Sequence, residues 1–250
     1  MKKALALVAL ITFSTVALAE DEFKYPLKDL RFNPDMDQRE FERSTLNALD
    51  VYDPWERWNR YIYHFNYRAD QWVLLPVVGV YQKVTPSFIR AGVRNFFSNL
   101  DDVPNLANSL LQLKAKRSAN ATARLLLNTT LGVGGLWDVA SYFGLPKQGE
   151  DFGQTLGFYG VQPGPYVVLP LLGPSSLRDA SGRLVDFAIE QQVNLVNYTE
   201  INAEHPELTV LRSINTRANT PLRYGQLNSP FEYEKIRYVF SEARKMQISD

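Results

Sequence analysis

Asp53-Pro54-Trp55-Glu56-Arg57-Trp58-Asn59-Arg60-Tyr61-Ile62-Tyr63-His64-Phe65-Asn66-Tyr67-Arg68-Ala69-Asp70-Gln71-Trp72 is the stretch on which the reading of this 250-residue chain turns. Asp53 offers an N-cap carboxylate, Pro54 takes the first helical position, where a missing N–H costs nothing, and Glu56 follows three residues after the cap. Trp55, Trp58, Tyr61/Ile62, Phe65, Ala69 and Trp72 then recur at intervals of three and four, which predicts a helix with an aromatic face. Arg57, Arg60, Asn66 and Arg68 fall on the other side. Eight aromatic residues lie within 52–72, three of the four tryptophans among them, so the face is too rich in rings to be incidental. Two environments suit it. One is a packed core; the other is a lipid interface, where Trp and Tyr settle at headgroup level and arginines meet phosphates. On the second reading Trp55, Arg57, Trp58, Arg60 and Trp72 are the headgroup and interface residues.

Working outward, the helical pattern continues. Thr85-Pro86 opens a helix with Ile89, Val93, Phe96, Phe97 and Leu100 inward and Arg90 and Arg94 outward. Asp101-Asp102-Val103-Pro104 starts another, carrying Leu106, Leu110, Leu111 and Leu113, and Ser118 caps a third through Ala121 and Leu125. Leu184, Val185, Ala188, Ile189, Val193 and Val196 predict a helix near 182–197. Ile236, Val239, Phe240 and Ala243 predict one near 231–246. With no internal repeat and no run of alternating strands, the fold class is mainly α.

The two ends of the chain differ in character. Met1-Lys2-Lys3 is a short basic start, residues 4–16 are almost wholly apolar, and Ala17-Leu18-Ala19 has the small-x-small form that signal peptidase cuts after. Thirteen such residues are too few for a permanent anchor, which needs about 20. The expected organisation is a cleaved signal peptide over 1–19, a charged leader over 20–50 and one helical domain over 51–250. Residues 20–50 hold nine acidic and five basic side chains, the composition of a solvated leader or of a docking arm for a partner. From Glu20 onward the chain carries 25 basic and 27 acidic residues, which excludes nucleic-acid binding by bulk positive charge. It contains no cysteine, so disulfides, thiolate metal sites, cysteine nucleophiles and a cysteine-borne acyl anchor are all excluded as expectations.

Two uncharged stretches stand out. One is the 13 residues 125–137, the other the 26 residues 152–177. The second is broken repeatedly by Gly153, Gly157, Gly160, Pro163, Gly164, Pro165, Pro170, Gly173 and Pro174, so it cannot cross a membrane as a helix. Irregular backbone at lipid depth is tolerated only when buried in protein or lining a wet cavity, and a lipid-facing or pore-lining role is expected. In the first stretch Asn128, Thr130, Gly132, Gly134, Gly135 and Trp137 are the candidate channel residues, the glycines permitting a flexible bend between two helices. A glycine turn in an ordinary core has the same pattern.

Catalytic constellations are missing. There is no G-x-S-x-G elbow and no H-E-x-x-H, and the only histidines, His64 and His205, stand far apart. Gly132-Val133-Gly134-Gly135 follows a helix rather than a strand and lacks the Lys-Ser/Thr ending of a phosphate loop. Asp101-Asp102 and Glu150-Asp151 read as helix starts, and Ser175-Ser176 as a cap. No cofactor and no metal are expected, and the chain reads as a non-enzyme.

Several ordered blocks resemble the MlaA (VacJ) family. Asp53-Pro54-Trp55-Glu56 through Asn59-Arg60 is similar to the family's D-P-x-E-x-x-N-R opening, with His64-Phe65-Asn66 behind it. Phe96-Phe97-Ser98-Asn99-Leu100 with Pro104-Asn105, and Leu127 through Ala140, resemble its next blocks. Asp151-Phe152-Gly153-Gln154-Thr155-Leu156-Gly157, Tyr159-Gly160-Val161, Gly164-Pro165-Tyr166, Leu169-Pro170 and Ser176-Leu177-Arg178-Asp179 complete the run, which covers roughly 52–225. The resemblance implies a helical, ring-like domain lying in one leaflet of the outer membrane on its periplasmic side. It further implies a trimeric outer-membrane porin beside it and a channel that passes misplaced phospholipids from the outer leaflet to a soluble periplasmic carrier, MlaC, preserving lipid asymmetry. Many members of that family carry a cysteine directly after the signal peptide; here Ala17-Leu18-Ala19-Glu20 stands in its place. Two other classes of function compete: a periplasmic phospholipid-degrading enzyme and a structural porin accessory.

Overall fold

The computed structural model describes residues 50–227 and 229–249, with residues 37, 40, 41, 43 and 44 before them. The chain divides after Leu49. In the first unit residues 40, 41, 43 and 44 are helical; the expected signal peptide and most of the leader lie outside the described residues. The second unit, Asp50–Asp250, carries the fold.

Helix α1 (Glu56–Ala69) continues through a π-helical turn (Asp70–Leu74) into α2 (Leu75–Val84). Then come α3 (Ser87–Leu111), α4 (Ala115–Thr130), the single turn α5 (Val139–Tyr142) and α6 (Phe152–Phe158). A hairpin follows, β1 (Tyr166–Leu169) against β2 (Gly173–Ser176), antiparallel with Tyr166 opposite Ser176 and Leu169 opposite Gly173. The chain closes with α7 (Leu177–Val193), a 3-10 turn (Leu195–Asn197), α8 (Tyr198–Glu204), α9 (Glu207–Asn219) and α10 (Glu232–Ser249). The fold is mainly α, and no helix among the described residues is long and apolar enough to cross a membrane.

Local chemistry explains some of the boundaries. Ser176 caps α7 by accepting from the Asp179 amide, and Asp151 caps α6 by accepting from the Gln154 amide. Three expectations need correction. Asp53 caps nothing: α1 begins at Glu56, and the Asp53 carboxylate instead accepts from Asn59 Nδ2 at 2.7 Å, from the Tyr233 hydroxyl and from Arg237. Asp101-Asp102 starts no helix, because α3 runs straight through Pro104. A proline inside a helix forfeits one backbone bond, and here packing of α3 on α4, α7 and α9 outweighs the loss. Ser118 lies within α4, its hydroxyl turned back to the Lys114 carbonyl at 3.0 Å.

Burial is distributed unusually. Among the described residues there are two small apolar clusters: Ile62, Tyr63, Tyr166, Val168, Tyr233 and Ile236 join α1, β1 and α10, and Phe97, Leu100 and Tyr198 join α3 and α8. Elsewhere, apart from Val78, Val103, Ala121 and Ala140, the buried side chains among the described residues are polar or charged. Asp102 and Arg124 face each other at 3.1 Å with almost no solvent contact. Buried Glu150 accepts from Lys114 at 3.0 Å, from Gln112 at 2.9 Å and from Arg117. Arg244 ties α10 to Asp151 and Asp179, and Arg217 ties α9 to Asp70 in the π turn. Burying charge is tolerated only with partners of this kind. Meanwhile Ile89, expected inward, stands outside, and Leu110, Leu111, Leu113, Leu184, Val193 and Val239 are exposed as well.

Two asparagines seven residues apart fasten α1 to the hairpin. Asn59, fully buried, donates to the Tyr166 carbonyl at 2.9 Å and accepts from the Val168 amide at 2.9 Å. Asn66 donates to the Leu169 carbonyl at 2.9 Å and accepts from the Leu171 amide at 2.7 Å. Each carboxamide supplies one donor and one acceptor at a peptide group's spacing, so β1 gains the ladder partner that a further strand would give. Replacing Asn59 with alanine strands a buried amide and a buried carbonyl. We expect a loss of about 2–4 kcal/mol, read by denaturant unfolding.

Candidate functional site

The segment after α4 forms a closed turn. Gly132 Nα donates to the Leu127 carbonyl at 3.0 Å, Gly134 to Thr129 at 2.9 Å, Gly135 to Asn128 at 2.8 Å and Trp137 to Gly132 at 3.0 Å. Val133, Gly134 and Gly135 all have positive φ, so three successive residues take the left-handed region. The expected flexible bend is thus a turn whose amides are internally bound. Gly132 is fixed by space: a Cβ there would meet the carbonyls of Asn128 and Trp137 at 2.3 Å.

Side chains then dock this turn. Asn128 is buried, donating to Asp138 at 3.1 Å and accepting from the Ala140 amide at 2.9 Å, so it joins α4 to α5. Asn99 on α3 donates to Thr129 at 3.0 Å, and Asn95 to the Leu136 carbonyl at 3.2 Å. Arg124 reaches Asp138 at 3.2 Å and the Leu145 carbonyl at 2.6 Å. Burial by itself would raise the Asp138 carboxyl; hydrogen bonds from Ser141 and Asn128 and the Arg124 charge overcome it and hold the group below the usual carboxylate range. Of the six sequence candidates, Asn128, Gly132 and Gly135 are the buried anchors. Gly134 is half-buried, and Thr130 and Trp137 are exposed beside Leu131, Val133 and Leu136. The turn offers an apolar rim on a polar base.

The aromatic face of α1 lies outside the core. Trp55, Trp58 and Trp72 are 47%, 62% and 75% exposed, and Trp58 stacks on exposed Tyr61 with ring centres 5.8 Å apart. Val73 in the π turn and Val77, Val80 and Val84 on α2 are exposed as well. So many large apolar side chains exposed on two consecutive helices suit a surface made for something other than water. Arg57 is exposed on the same helix. Arg60 is employed differently: it pairs with Glu56 at 2.7 Å and with Glu234, and lies 4.4 Å over the Tyr233 ring. Asn66, assigned from sequence to the polar outer side with the arginines, is instead buried.

Sequence reasoning missed the residues that set this geometry, namely Asn59, Asn66, Asn99, Asp102 and Arg124. A signal was present. Asparagine is a weak helix former, so its recurrence inside α1, α3 and α4 marks positions where a side-chain amide is needed.

These features define a mainly helical, single-domain protein with a polar interior and an aromatic, apolar exterior. The family model described as "MlaA lipoprotein" matches residues 51–247, and the chain belongs to the MlaA family. An uncharacterized protein of Rickettsia felis is 36% identical over 208 residues, covering 82% of both chains. The "Intermembrane phospholipid transport system lipoprotein MlaA" of Escherichia coli K12 is 38% identical over 138 residues, 54% of this chain and 55% of that one. A solved structure from work described as "Structural basis for maintenance of bacterial outer membrane lipid asymmetry" superposes with a TM-score of 0.68 at 34% identity. It covers 79% of this chain and is itself wholly covered.

Two predictions follow from the site's geometry. Gly132→Ala should cost several kcal/mol, because backbone oxygens cannot withdraw, whereas Gly134→Ala, open to space, should cost about 1 kcal/mol of left-handed strain; thermal melts compare them. Asp138 and Asp151 both titrate below the usual range, Asp151 because the Arg244 hydrogen bonds and charge outweigh its burial. Their contribution to stability is therefore complete above the unfolded carboxylate value of about 4 and is lost as pH falls through their lowered values. A melting-temperature profile should decline below that point, and Arg244→Gln should flatten the decline while lowering stability at neutral pH.

Proposed function

We propose that the protein removes phospholipids from the outer leaflet of the outer membrane and passes them through a channel to a soluble periplasmic carrier, without making or breaking a bond. The observation that carries this reading is the exposed aromatic and valine face of α1 and α2 over a hydrogen-bonded polar interior. Family membership supports it. A helical ring sunk into one leaflet would set Trp55, Trp58 and Trp72 at headgroup level, with Arg57 beside them for phosphates. The turn carrying Asn128, Thr130, Gly132, Gly134, Gly135 and Trp137 would line the passage, its apolar rim against tails and its polar base against headgroups.

Transfer of a lipid through water exposes its tails at about 0.8 kcal/mol per methylene, so unaided exit is slow. A passage with one wet and one dry side lowers that barrier while leaving the net direction to whatever takes the lipid away. A trimeric porin at its side and an MlaC-type carrier below are the partners this scheme needs. The apolar exterior supplies the hold on the membrane.

Deleting the gene tests the scheme. The expected result is phospholipid accumulating in the outer leaflet with intact acyl chains, reversed by the wild-type gene. Lysophospholipid formed by the purified protein would instead identify a degrading enzyme. Failed porin assembly with normal lipid distribution would identify a structural accessory.

A further inference from the structure

Two hollows meet at one tyrosine. The first, about 380 Å³, is a shallow depression wide open to solvent, lined by Pro76, Val77, Val80 and Tyr81 along α2 and almost wholly apolar. The second, about 270 Å³, lies between the end of α2, the start of α3 and α9, with Tyr81, Ser87, Arg90, Arg94 and Asn219 among its lining. The polar hollow contains two guanidinium groups and no carboxylate. Arg90 is anchored on the Thr85 carbonyl at 2.7 Å and on the Gln82 carbonyl, which fixes its place. Arg94 is exposed and has no acidic partner among the described residues.

The Tyr81 hydroxyl is the second observation. It is shut off from solvent and has no hydrogen-bond partner, with the Arg90 charge nearby. A buried hydroxyl left unsatisfied costs on the order of 1–3 kcal/mol, so such a group calls for an explanation. Tyr81, Ser87 and the two arginines offer donors to a ligand that only accepts, and arginine in particular matches the oxygens of a phosphate.

Resting on the transport reading above, we infer that these joined hollows are a phospholipid-binding subsite, with the phosphate held by Arg90 and Arg94, the Tyr81 hydroxyl turning out of its cover to donate to it, and an acyl chain laid along Val77 and Val80. The apolar hollow separates a lipid from a free phosphate ester: only the lipid fills both.

The test titrates the full chain in detergent micelles with dihexanoyl phosphatidylglycerol, glycerol 3-phosphate, inorganic phosphate and dihexanoylglycerol. The variants are Tyr81→Phe, Arg94→Gln, their combination, and Arg183→Gln, an exposed arginine on α7 outside both hollows, with circular dichroism confirming the fold of each. The expected result is that phosphatidylglycerol binds best and that the double variant weakens it about tenfold, as loss of a charge-assisted contact predicts, while Arg183→Gln does not. Glycerol 3-phosphate or inorganic phosphate binding as tightly as the lipid would overturn the inference in favour of a free-anion site. Lipid binding unchanged in the double variant would overturn the placement. Failure of the transport reading has a separate signature, a deletion strain with normal outer-leaflet lipids whatever the variants bind.

Discussion

Arg124 and Asp102 meet where water scarcely reaches, and neither tolerates that position without the other. Removing one member of such a pair typically costs about 3–5 kcal/mol, because a charge is left buried and unpaired. Much else is referred to this pair. Asp102 sits in the middle of α3, Arg124 in the middle of α4, and the same guanidinium reaches Ser141, Leu145 and Asp138 beyond the glycine turn. The turn's position on α3 therefore depends on an ion pair more than on apolar packing. Pro104 fits the same picture: the helix survives its missing hydrogen bond because Asp102 and Asn105, on either side, are both engaged by the rest of the molecule.

Polar burial of this extent requires partners with exact valence. Asparagine meets the requirement repeatedly, since one carboxamide replaces one peptide group. Asn59 and Asn66 complete the outer edge of β1, Asn128 links two helices, and Asn108 donates to the Pro104 carbonyl and to Asp186. A hairpin of two four-residue strands has little stability alone. Held on one side by α1, it is instead a fixed part of the frame.

Periodicity made the helices legible, because intervals of three and four do not depend on which solvent surrounds the chain. Caps at Asp151 and Ser176 were legible for the same local reason. Which way a helix faces was not. The inward assignment of Ile89 rests on the assumption that apolar means buried, and that assumption fails where polar side chains occupy the interior. Asp53 shows a further limit: a cap motif describes neighbours in sequence, whereas Tyr233 and Arg237 compete for the same carboxylate from far along the chain. The glycine turn was found from its composition, but its amide bonding and the docking of Asn99 required coordinates. The hollow at Tyr81 draws on three helices and left no local trace at all.

The π turn at Asp70–Leu74 alters the phase between two consecutive helices. One additional residue in a turn rotates everything beyond it by roughly a quarter of a revolution, since each α-helical residue advances about 100°. The azimuth of the valine row on α2, relative to the tryptophans on α1, is therefore set by this widened turn. Its aspartate is clasped by Arg217 from α9. The aim of a surface near the start of the domain is thus under the control of a residue near its end, so the direction in which that surface faces and the packing of the last third are one property.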